Sequence, residues 1–548
     1  MQSPLRAVLY RTGIYNWSLR GRTPDRMRGV PVNPTVGNAA EGRTVMSGGY
    51  TLFGADRHLG DLPWKNPGLS PQEAAIVHRF SFLSGLQALG TADAADKGRE
   101  LMSRWINIYG RWKPIAWEPA ITGGRLTNWL CAYGFLRKPE HPGFELTLLE
   151  SASAQLRHLS RTIEESAAGS DTIEAAEGLI LGALCLAGME ALLDAGLAAL
   201  QIAISRQILD DGGHYQRNPS IQHDLLIRLI RVRDTLVAAQ VPIPHWLELT
   251  IDKMSAMLRT LRHSDGTLAL FNGSTEGNGE TISRTLNAAG HKTSVRLSAP
   301  HSGFQRMEAD DAVVIADAGA ATIAGSDRDA HAGLLSFEFS RKKHRLIVNC
   351  GAHGDRSSDW STMLRNTAAH STLTVDDTNA IEVYSKGGVG RLQADISCRR
   401  SESDGSTFIQ MTHGGYQPAF GLIHGRDLYL SAGGDDLRGR DVLMLSKEHL
   451  GRHAELFCVR FHLHPDVKAE MAGDGESVLL KAPEREGWRF RASGGDIGLE
   501  DSIYLGTPGQ LHRTQQITIS GLVNPHSTEI KWSLIMESVK KQSKSRVD

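Results

Sequence analysis

The sequence has few cysteines, and they are not arranged for a disulfide framework or a metal knuckle. Its 548 residues contain no Cys-x-x-Cys pair, and the five cysteines are scattered. They are Cys131, Cys185, Cys350, Cys398 and Cys458. This scatter disfavours both kinds of site and is typical of free, buried thiols in a reducing compartment.

Long apolar runs are also missing. The longest, residues 178–200, is interrupted by Glu190 and Asp194, so it predicts two soluble helices and no transmembrane segment. The N-terminus lacks the continuous apolar core of a secretory signal, so we expect a cytoplasmic protein. Six arginines fall within residues 1–28, where the first acid is Asp25. This segment is either a packed or solvated arm or a surface for a membrane or a partner.

The chain carries no excess of either charge. It has 60 basic and 61 acidic residues, so no global field favours nucleic acid and no nucleic-acid partner is expected. At 548 residues the chain is too long for one core, and its 41% hydrophobic content supports several large ones. We therefore predict an α+β multidomain protein.

Helical periodicity dominates the first half. Residues 1–68, rich in Gly, Pro and Arg, predict an N-terminal arm of loops and short strands, including residues 50–53, and the Ser70-Pro71 pair marks the start of the first helix. Eight segments then carry apolar residues at helical spacing: 71–90, 92–110, 124–136, 144–166, 172–187, 189–208, 220–240 and 246–263. We predict a domain over 69–302 in which helical hairpins form a ring or superhelix.

Alternating strands dominate the second half. Short runs of β-forming residues separated by Gly and Asp turns predict an antiparallel sandwich over 303–540. The predicted strands are 312–316, 334–339, 345–348, 371–375, 407–411, 427–430, 456–462, 488–492, 512–519 and 529–535.

Residues 329–377 are the most informative stretch. The runs 334–339 and 345–349 alternate apolar and polar residues on either side of Arg-Lys-Lys, which predicts a hairpin. His331 precedes the first of these strands and His370 begins a third strand. Imidazoles at the ends of neighbouring strands can face one cleft, so we predict that the side chains of His331 and His370 are in contact.

A second candidate site is the segment Asp-Asp-Gly-Gly-His-Tyr-Gln-Arg-Asn-Pro, residues 210–219. His214, Tyr215 and Arg217 could supply a base, an acid and an anion clamp. Alternatively, the glycines end one helix and Asn-Pro begins the next, and the segment is purely structural. The residues leave both interpretations open.

Aromatic and polar residues elsewhere suggest contacts with an acidic sugar. Trp117 and Trp129 flank Arg125 and Asn128, and an exposed indole beside a guanidinium suits a uronate ring. Tyr416 follows a His-Gly-Gly run and is predicted to contribute as well. A core tryptophan beside a surface arginine is the alternative.

These motifs together resemble a known family. A helical domain followed by DGGHYxRNP, HAGLLSFEFS, RLIVNCG and TAAHSTLTV resembles the heparinase II/III family of polysaccharide lyases. The resemblance implies an incomplete α/α toroid followed by an antiparallel β-sandwich, with an anionic polysaccharide or oligosaccharide substrate in the cleft. It also implies β-elimination, in which an Asn or His neutralises a uronate carboxylate while a Tyr and a His act as base and acid. Members are usually periplasmic or secreted, which is the alternative location.

The same resemblance reveals departures from the family pattern. Its His-x-His-x-Asp motif reads Asp-Ala-His-Ala-Gly here, which puts Asp329 at the catalytic position and His331 at a metal position. The other metal positions fall on Asn349 and His370, a weak zinc set because the carboxylate is replaced. The catalytic Tyr falls on Ile221, and the Asn-His pair falls near residues 170–171.

Three functions follow from these residues. The first is a divergent carbon–oxygen lyase that uses His214, Tyr215, Arg217 and His331. The second is a non-catalytic protein that binds acidic glycans on the same fold. The third is a glycoside hydrolase with an Asp pair from residues 171, 210 and 211, since hydrolysis needs two carboxyl groups across the bond.

Overall fold

The structure is a computed structural model, and it describes most of the chain. The described residues are 4–138, 142–165, 169–290, 293–319, 328–385, 387–390, 392, 396–446, 452–524 and 526–537. They form two compact units that are interleaved along the chain. The first, here the helical unit, is Met1–Gly212, Ile221–Ser255 and Ser283–Thr293. The second, here the strand unit, is Gly213–Ser220, Ala256–Ile282 and Ser294–Asp548.

The N-terminal part of the chain is helical from residue 71 onward, as predicted. Its helices are α1 (Pro4–Arg11), α2 (Gly13–Ser18), α3 (Ala39–Met46), α4 (Pro71–Arg79), α5 (Leu83–Leu89), α6 (Ala92–Tyr109), α7 (Pro119–Leu136), α8 (Pro142–Thr162), α9 (Ser170–Cys185), α10 (Leu193–Gln207), α11 (Pro219–Ala238), α12 (His245–Thr260) and α13 (Gly279–Ala288). A two-stranded hairpin, β1 (Gly49–Leu52) and β2 (Ala55–His58), lies between α3 and α4. Residues 1–68 were predicted as an arm of loops and short strands, and this was wrong in part: they also contain three helices, two of which begin after the capping residues Thr12 and Asn38.

Local sequence explains how these helices begin and pack. Ser70 and Glu73 form a reciprocal capping box at the start of α4, with Pro71 at its first position. Helices α7 and α9 touch through glycine: a Cβ on Gly178 would lie 2.4 Å from the Cα of Gly123. Such a close approach lets both helices bury most of their surfaces. Their sequences agree with this burial, because apolar residues occur on almost every side of α7 and α9.

The C-terminal part is sheet-rich. Its strands are β3 (Ser298–Ala299), β4 (Phe304–Ala309), β5 (Ala312–Asp317), β6 (Phe337–Arg341), β7 (His344–Val348), β8 (Leu373–Val375), β9 (Ser397–Ser403), β10 (Ser406–His413), β11 (Leu422–Leu430), β12 (Asp436–Leu445), β13 (Leu456–Leu463), β14 (Lys468–Met471), β15 (Ser477–Lys481), β16 (Gly487–Ser493), β17 (Asp496–Tyr504), β18 (His512–Leu522) and β19 (Ser527–Met536). Two short helices, α14 (Asp359–Met363) and α15 (Gln417–Phe420), interrupt them.

These strands form two large antiparallel sheets that share one core. One sheet has the order β14-β15-β16-β19-β12-β11-β10-β9, and the other β17-β18-β13-β7-β6-β5-β4-β3 with β8 paired to β13. Phe337 from one sheet and Trp532 from the other stack with ring centroids 5.5 Å apart. All ten predicted strands are present, and the six longer strands that were missed are β4, β9, β12, β14, β15 and β17.

The predicted hairpin before the candidate site is β6–β7, three residues later than expected at its start. Its strands pair antiparallel, and Lys342, with φ of +49°, occupies the turn. All of β6 is buried, including Glu338 and Ser340. Within the described ranges, no helix combines the length and apolar character needed to cross a membrane.

Candidate functional site

The segment 213–220 belongs to the strand unit, although helices of the other unit flank it in sequence. Arg217 anchors it with a left-handed backbone, φ +57°. Its guanidinium forms a buried ion pair with Asp317, and its Nε donates to the Ser302 carbonyl at 2.7 Å. The site depends on glycine, because a Cβ on Gly319 would lie 2.7 Å from the Arg217 Cζ. Burial raises the pKa of Asp317, and Arg217 opposes that shift.

Asn272 connects this segment to the histidine motif of residues 329–333. Its carbonyl accepts from Asn218 Nδ2 at 2.8 Å, and its own Nδ2 donates to the Arg217 carbonyl at 3.3 Å. Its Oδ1 accepts from the His331 backbone N–H at 3.2 Å. Asn272 has φ of +49°, a conformation that asparagine tolerates better than most residues. One asparagine therefore fixes both predicted segments relative to each other.

His331 and His370 meet, as the sequence predicted. Nδ1 of His331 and Nε2 of His370 are 3.0 Å apart, and both rings are buried. His370 Nδ1 lies 2.9 Å from the Asn366 carbonyl, which can only accept, so this nitrogen carries the proton. A neutral His370 then accepts at Nε2, and His331 donates from Nδ1. This chain leaves Nε2 as the acceptor atom of His331.

Burial keeps the imidazole pair neutral. It lowers the pKa of His370 to about 4 and the pKa of His331 well below its ordinary value. The mutual repulsion of two charged rings adds to the shift on His331. Two adjacent buried imidazoles cannot both take a second proton and carry a positive charge, so the form in which both rings are neutral and hydrogen-bonded is the stable one.

The buried carboxylate of Glu338, on β6, forms hydrogen bonds with several separate segments of the strand unit. Its Oε1 accepts from the backbone N–H groups of Leu270 and Asn349 at 3.1 and 3.0 Å. Its Oε2 contacts His263 Nε2 at 2.8 Å. Arg345 lies 3.9 Å away, and burial followed by this arginine lowers the pKa of His263. The carboxylate therefore serves to fasten three chain segments together.

The residues mapped to the metal positions do not form a zinc set in this arrangement. The Asn349 side chain accepts from Ser371 N–H at 3.0 Å through Oδ1 and donates to the Leu270 carbonyl at 3.3 Å, so its amide is engaged. That leaves the two imidazoles, fewer than the three protein ligands that zinc sites use. No group of three His, Cys, Asp or Glu able to hold a metal occurs among the residues described. Zinc binding stays a prediction, and no chemical step is derived from it.

Asp329, at the position of the family's catalytic histidine, forms a bidentate ion pair. Its Oδ1 and Oδ2 accept from Arg356 Nε and Nη2 at 2.8 and 2.6 Å. Both side chains are partly exposed. Arg356 therefore balances the charge of the carboxylate that the resemblance aligns with the family's catalytic histidine.

His214 and Tyr215 are both buried, with ring centroids 4.6 Å apart. His214 Nδ1 accepts from the Gln216 N–H at 3.3 Å, and burial lowers its pKa to about 3. This ring is neutral at physiological pH and a weak base. Its predicted catalytic role, and that of Tyr215, stay predictions.

The predicted sugar contacts in the helical unit lie in its core, so the expectation of exposed indoles was wrong. Trp117 donates to the Tyr109 carbonyl at 2.8 Å, and Trp129 packs edge-on against Trp105 at 5.4 Å. Arg125 is fully buried and donates to the Gln155 side chain and the Ala116 carbonyl, both at 2.7 Å. These groups present no face to a sugar here.

Two other predicted sugar contacts are also engaged within the protein. Asn128 is half-buried and donates to the Arg79 carbonyl at 2.9 Å. Tyr416, in the strand unit, is buried and donates to the Leu373 carbonyl at 2.7 Å. A binding role for either one stays a prediction.

Comparison with known proteins assigns the chain to a protein family. Residues 292–533 match the family model described as heparinase II/III-like, C-terminal. FtsZ-localized protein C of Caulobacter vibrioides is 32% identical over 540 residues, covering 93% of this chain and 90% of that protein. The chain belongs to the heparinase II/III-like family. It is a divergent member, as the sequence predicted.

Solved structures of the heparinase family show the same fold. The structure titled heparinase III aligns with a TM-score of 0.72 at 14% identity, covering 95% of this chain and 88% of that one. A heparan sulfate lyase mutant from Pedobacter heparinus aligns with a TM-score of 0.64 at 14% identity, covering 96% and 87%. At this identity the likeness establishes the heparinase-like order of a helical region followed by a sheet-rich region, and it does not extend to chemistry.

Three positions that sequence reasoning missed organise the region: Asn272, Asp317 and Glu338. Asn272 lies in the segment 264–302, which is rich in Gly, Ser, Asn and Thr, a composition typical of loops. Asp317 ends a buried strand, where a carboxylate needs a partner. Glu338 interrupts the apolar run of β6, which is the same signal.

Proposed function

We propose that this protein is a heparinase-fold member that does not catalyse β-elimination and acts by binding. The observation that carries the proposal is the Arg217–Asp317 pair. β-Elimination needs a positive group to neutralise the uronate carboxylate, and Arg217 is the cation that the sequence offered for this task. Its charge is already neutralised inside the protein, and its guanidinium is buried.

The remaining family positions support the same conclusion. Asp329 is paired with Arg356 and offers no imidazole to move a proton, and Ile221 has no hydroxyl for that task. The proposed scaffold is the incomplete α/α toroid and β-sandwich that the resemblance implies, retained as a binding framework. Acidic glycans are the ligand class that this scaffold suggests.

We base a proposal for the cellular location of this activity on the relative from Caulobacter vibrioides. That protein is named for its localization with FtsZ, and it matches this chain over nearly the whole length of both. We propose that this chain likewise acts where FtsZ assembles. The cytoplasmic location expected from the sequence agrees with this setting and stays a prediction.

A lyase is the second candidate, and one observation favours it. His331 is held neutral with Nε2 as its acceptor atom, the form in which an imidazole can take a proton. In this version His331 would be the base on a uronate-containing glycan.

Ultraviolet absorbance separates the two candidates. The purified protein is mixed with uronate polysaccharides and oligosaccharides, with and without zinc, while new reducing ends and glycan binding are measured in parallel. We expect no rise in absorbance and no new ends, because elimination alone creates the absorbing double bond. A rise that disappears in His331→Ala, but persists in the control His512→Ala on an exposed strand position, would establish the lyase. New ends without absorbance would indicate a hydrolase.

The FtsZ setting has its own test. A fluorescent fusion of the full chain is imaged together with labelled FtsZ in the native cell. Coincidence of the two signals, lost when FtsZ is depleted, is expected. A uniform distribution would contradict the setting without affecting the enzymatic result.

A further inference from the structure

The helical unit contains a large cavity whose walls are rich in positive charge. It measures about 1180 Å³ and is lined by five cationic side chains and one carboxylate. The cations are Arg11, Arg20, Arg111, Lys113 and Arg157, and the carboxylate is Glu150. A concave surface with this imbalance of charge attracts anions strongly.

The cavity is a built feature, since its walls are tied together by hydrogen bonds. Asn16 accepts from the Trp112 N–H at 2.9 Å and donates to the Tyr10 and Thr12 carbonyls at 3.1 and 2.9 Å. These bonds join α1 and α2 to the connection between α6 and α7. The Tyr10 and Trp112 rings pack behind this wall with centroids 5.7 Å apart.

Arg157, from α8, fastens the opposite side. It donates to the Leu19 carbonyl at 3.0 Å and the Arg22 carbonyl at 2.7 Å. A Cβ on Gly21 would lie 2.9 Å from its Cζ, so a larger residue there would push the guanidinium aside. Burial, and then the nearby Arg161, lower the pKa of Arg157, which reports positive potential in this region.

The cations at the opening are not engaged by acids. Across the described part of the chain, no carboxylate forms an ion pair with Arg11, Arg20 or Arg111. Lys113 lies over the Tyr109 ring, with Nζ 4.7 Å from its centroid. Arginines that line one cavity without an acidic partner keep their N–H donors available for an oxyanion, which accepts several hydrogen bonds.

The edge of the cavity is apolar. Trp17 lines it with 69% of its surface exposed, and Ile14 on the same helix is 80% exposed. Val8 and Leu9 of α1 are also exposed. Exposed apolar side chains beside a group of cations are typical of sites for ligands that carry both an anionic group and an apolar part.

We infer that this cavity binds a phosphate ester, with the phosphate held by Arg20, Arg111 and Lys113. A phosphate monoester or diester concentrates negative charge and acceptor oxygens in one group, which several clustered cations fit better than one carboxylate per sugar ring. The ester could come from a soluble phosphorylated metabolite or from a phospholipid headgroup. This site is separate from the strand-unit residues discussed above and does not depend on the function proposed for them.

Binding to two probes tests the inference and separates the sources. Glycerol 3-phosphate is titrated calorimetrically into the full chain, and vesicles of phosphatidylglycerol with phosphatidylcholine are used in a sedimentation assay beside pure phosphatidylcholine vesicles. We expect saturable binding that weakens as salt increases. Binding to both probes indicates recognition of the ester alone, and binding only to the anionic vesicles indicates a lipid headgroup.

Matched variants tie the binding to the cavity. The triple variant R20A/R111A/K113A should bind about tenfold more weakly or worse, since each removes a cation next to the phosphate. The control R43A/R206A/R513A removes three exposed arginines away from the cavity and should bind like the unaltered protein. All six positions are exposed, and R111A alone serves if the triple variant unfolds. Equal weakening in both variants, no binding to either probe, or binding of a uronate oligosaccharide alone would overturn the inference.

Discussion

The two groups of arginines in this protein are used in opposite ways. In the strand unit, Arg217 and Arg426 are buried and neutralised by Asp317 and Asp441. Around the cavity of the helical unit, arginines such as Arg111 are exposed and have no acidic partner. A buried, paired guanidinium holds chain segments in place, whereas an exposed one keeps its charge for a ligand. The difference indicates that the strand unit uses Arg217 and Arg426 for its own structure, whereas the arginines around the cavity keep their charge available for an anion.

The largest expected effect comes from removing Asp441. Burial raises its pKa, but Arg426 and His424 outweigh burial and hold it well below the ordinary value. Asp441→Asn would leave Arg426 buried without a counter-ion and should lower the free energy of unfolding by about 3–5 kcal/mol in urea. The control Asp436→Asn breaks a pair with the exposed Arg438 and should cost less than about 1 kcal/mol. Equal losses would remove the distinction between buried and exposed pairs.

A double-mutant cycle on Arg217 and Asp317 should show the next largest effect. Arg217→Met should destabilise the protein by about 3 kcal/mol because Asp317 stays buried without its partner. Adding Asp317→Asn should restore part of the loss, giving a coupling energy above about 1 kcal/mol. Glycan binding by the folded double variant should be unchanged. A selective loss of binding at full stability would instead identify Arg217 as a ligand clamp.

Acid should destabilise the strand unit through its buried histidines. The pKa of His370 is lowered to about 4, so the unfolded chain binds a proton near pH 6.5 and the folded chain does not until about pH 4. Stability is therefore complete above pH 6.5 and falls as the pH drops toward 4. Between pH 6.5 and 5 this residue alone should account for about 2 kcal/mol. Urea titrations of His370→Gln should show a shallower pH slope, and an unchanged slope would contradict the buried neutral pair.

The smallest expected effect on stability comes from replacing one of the exposed arginines around the cavity of the helical unit. Arg111→Ala should change the free energy of unfolding by no more than about 0.5 kcal/mol, because the side chain is exposed and forms no ion pair. Arg43→Ala provides the matched control on α3. A loss above about 2 kcal/mol would show that Arg111 supports the fold, and the contrast between the two groups of arginines would no longer hold.

Local patterns predicted the order of elements well and the partners of buried charges poorly. The eight helical segments and ten strands follow from periodicity, whereas β12 and β17 were missed because glycine, arginine and acids interrupt their alternation. The contact between His331 and His370 was predicted because each residue lies at the beginning of a predicted strand. Asp317 could not be matched to Arg217, because a hundred residues separate them and no local pattern records the pairing.

The tryptophans show another limit of sequence reasoning. Helix α7 is apolar on nearly every side, so its sequence gives no inner or outer face. Such a helix is expected to be buried on all sides, so the pattern favours a core position for Trp129 over an exposed one. Periodicity does not show which side chains bury it or the neighbouring Arg125: Trp105 of α6 contacts both, and Gln155 of α8 accepts from Arg125.

The interleaving of the two units has a consequence during synthesis. The segment that carries Arg217 leaves the ribosome long before Asp317 exists, so its guanidinium must remain solvated until the first strands of the sheet emerge. The helical unit, likewise, is incomplete until residue 293 has been made. A chain cut near residue 303 would contain every helix of the helical unit but would separate Arg217 from its acid. The strand unit therefore cannot be completed without residues 213–220 and 256–282, which lie among the helices in sequence.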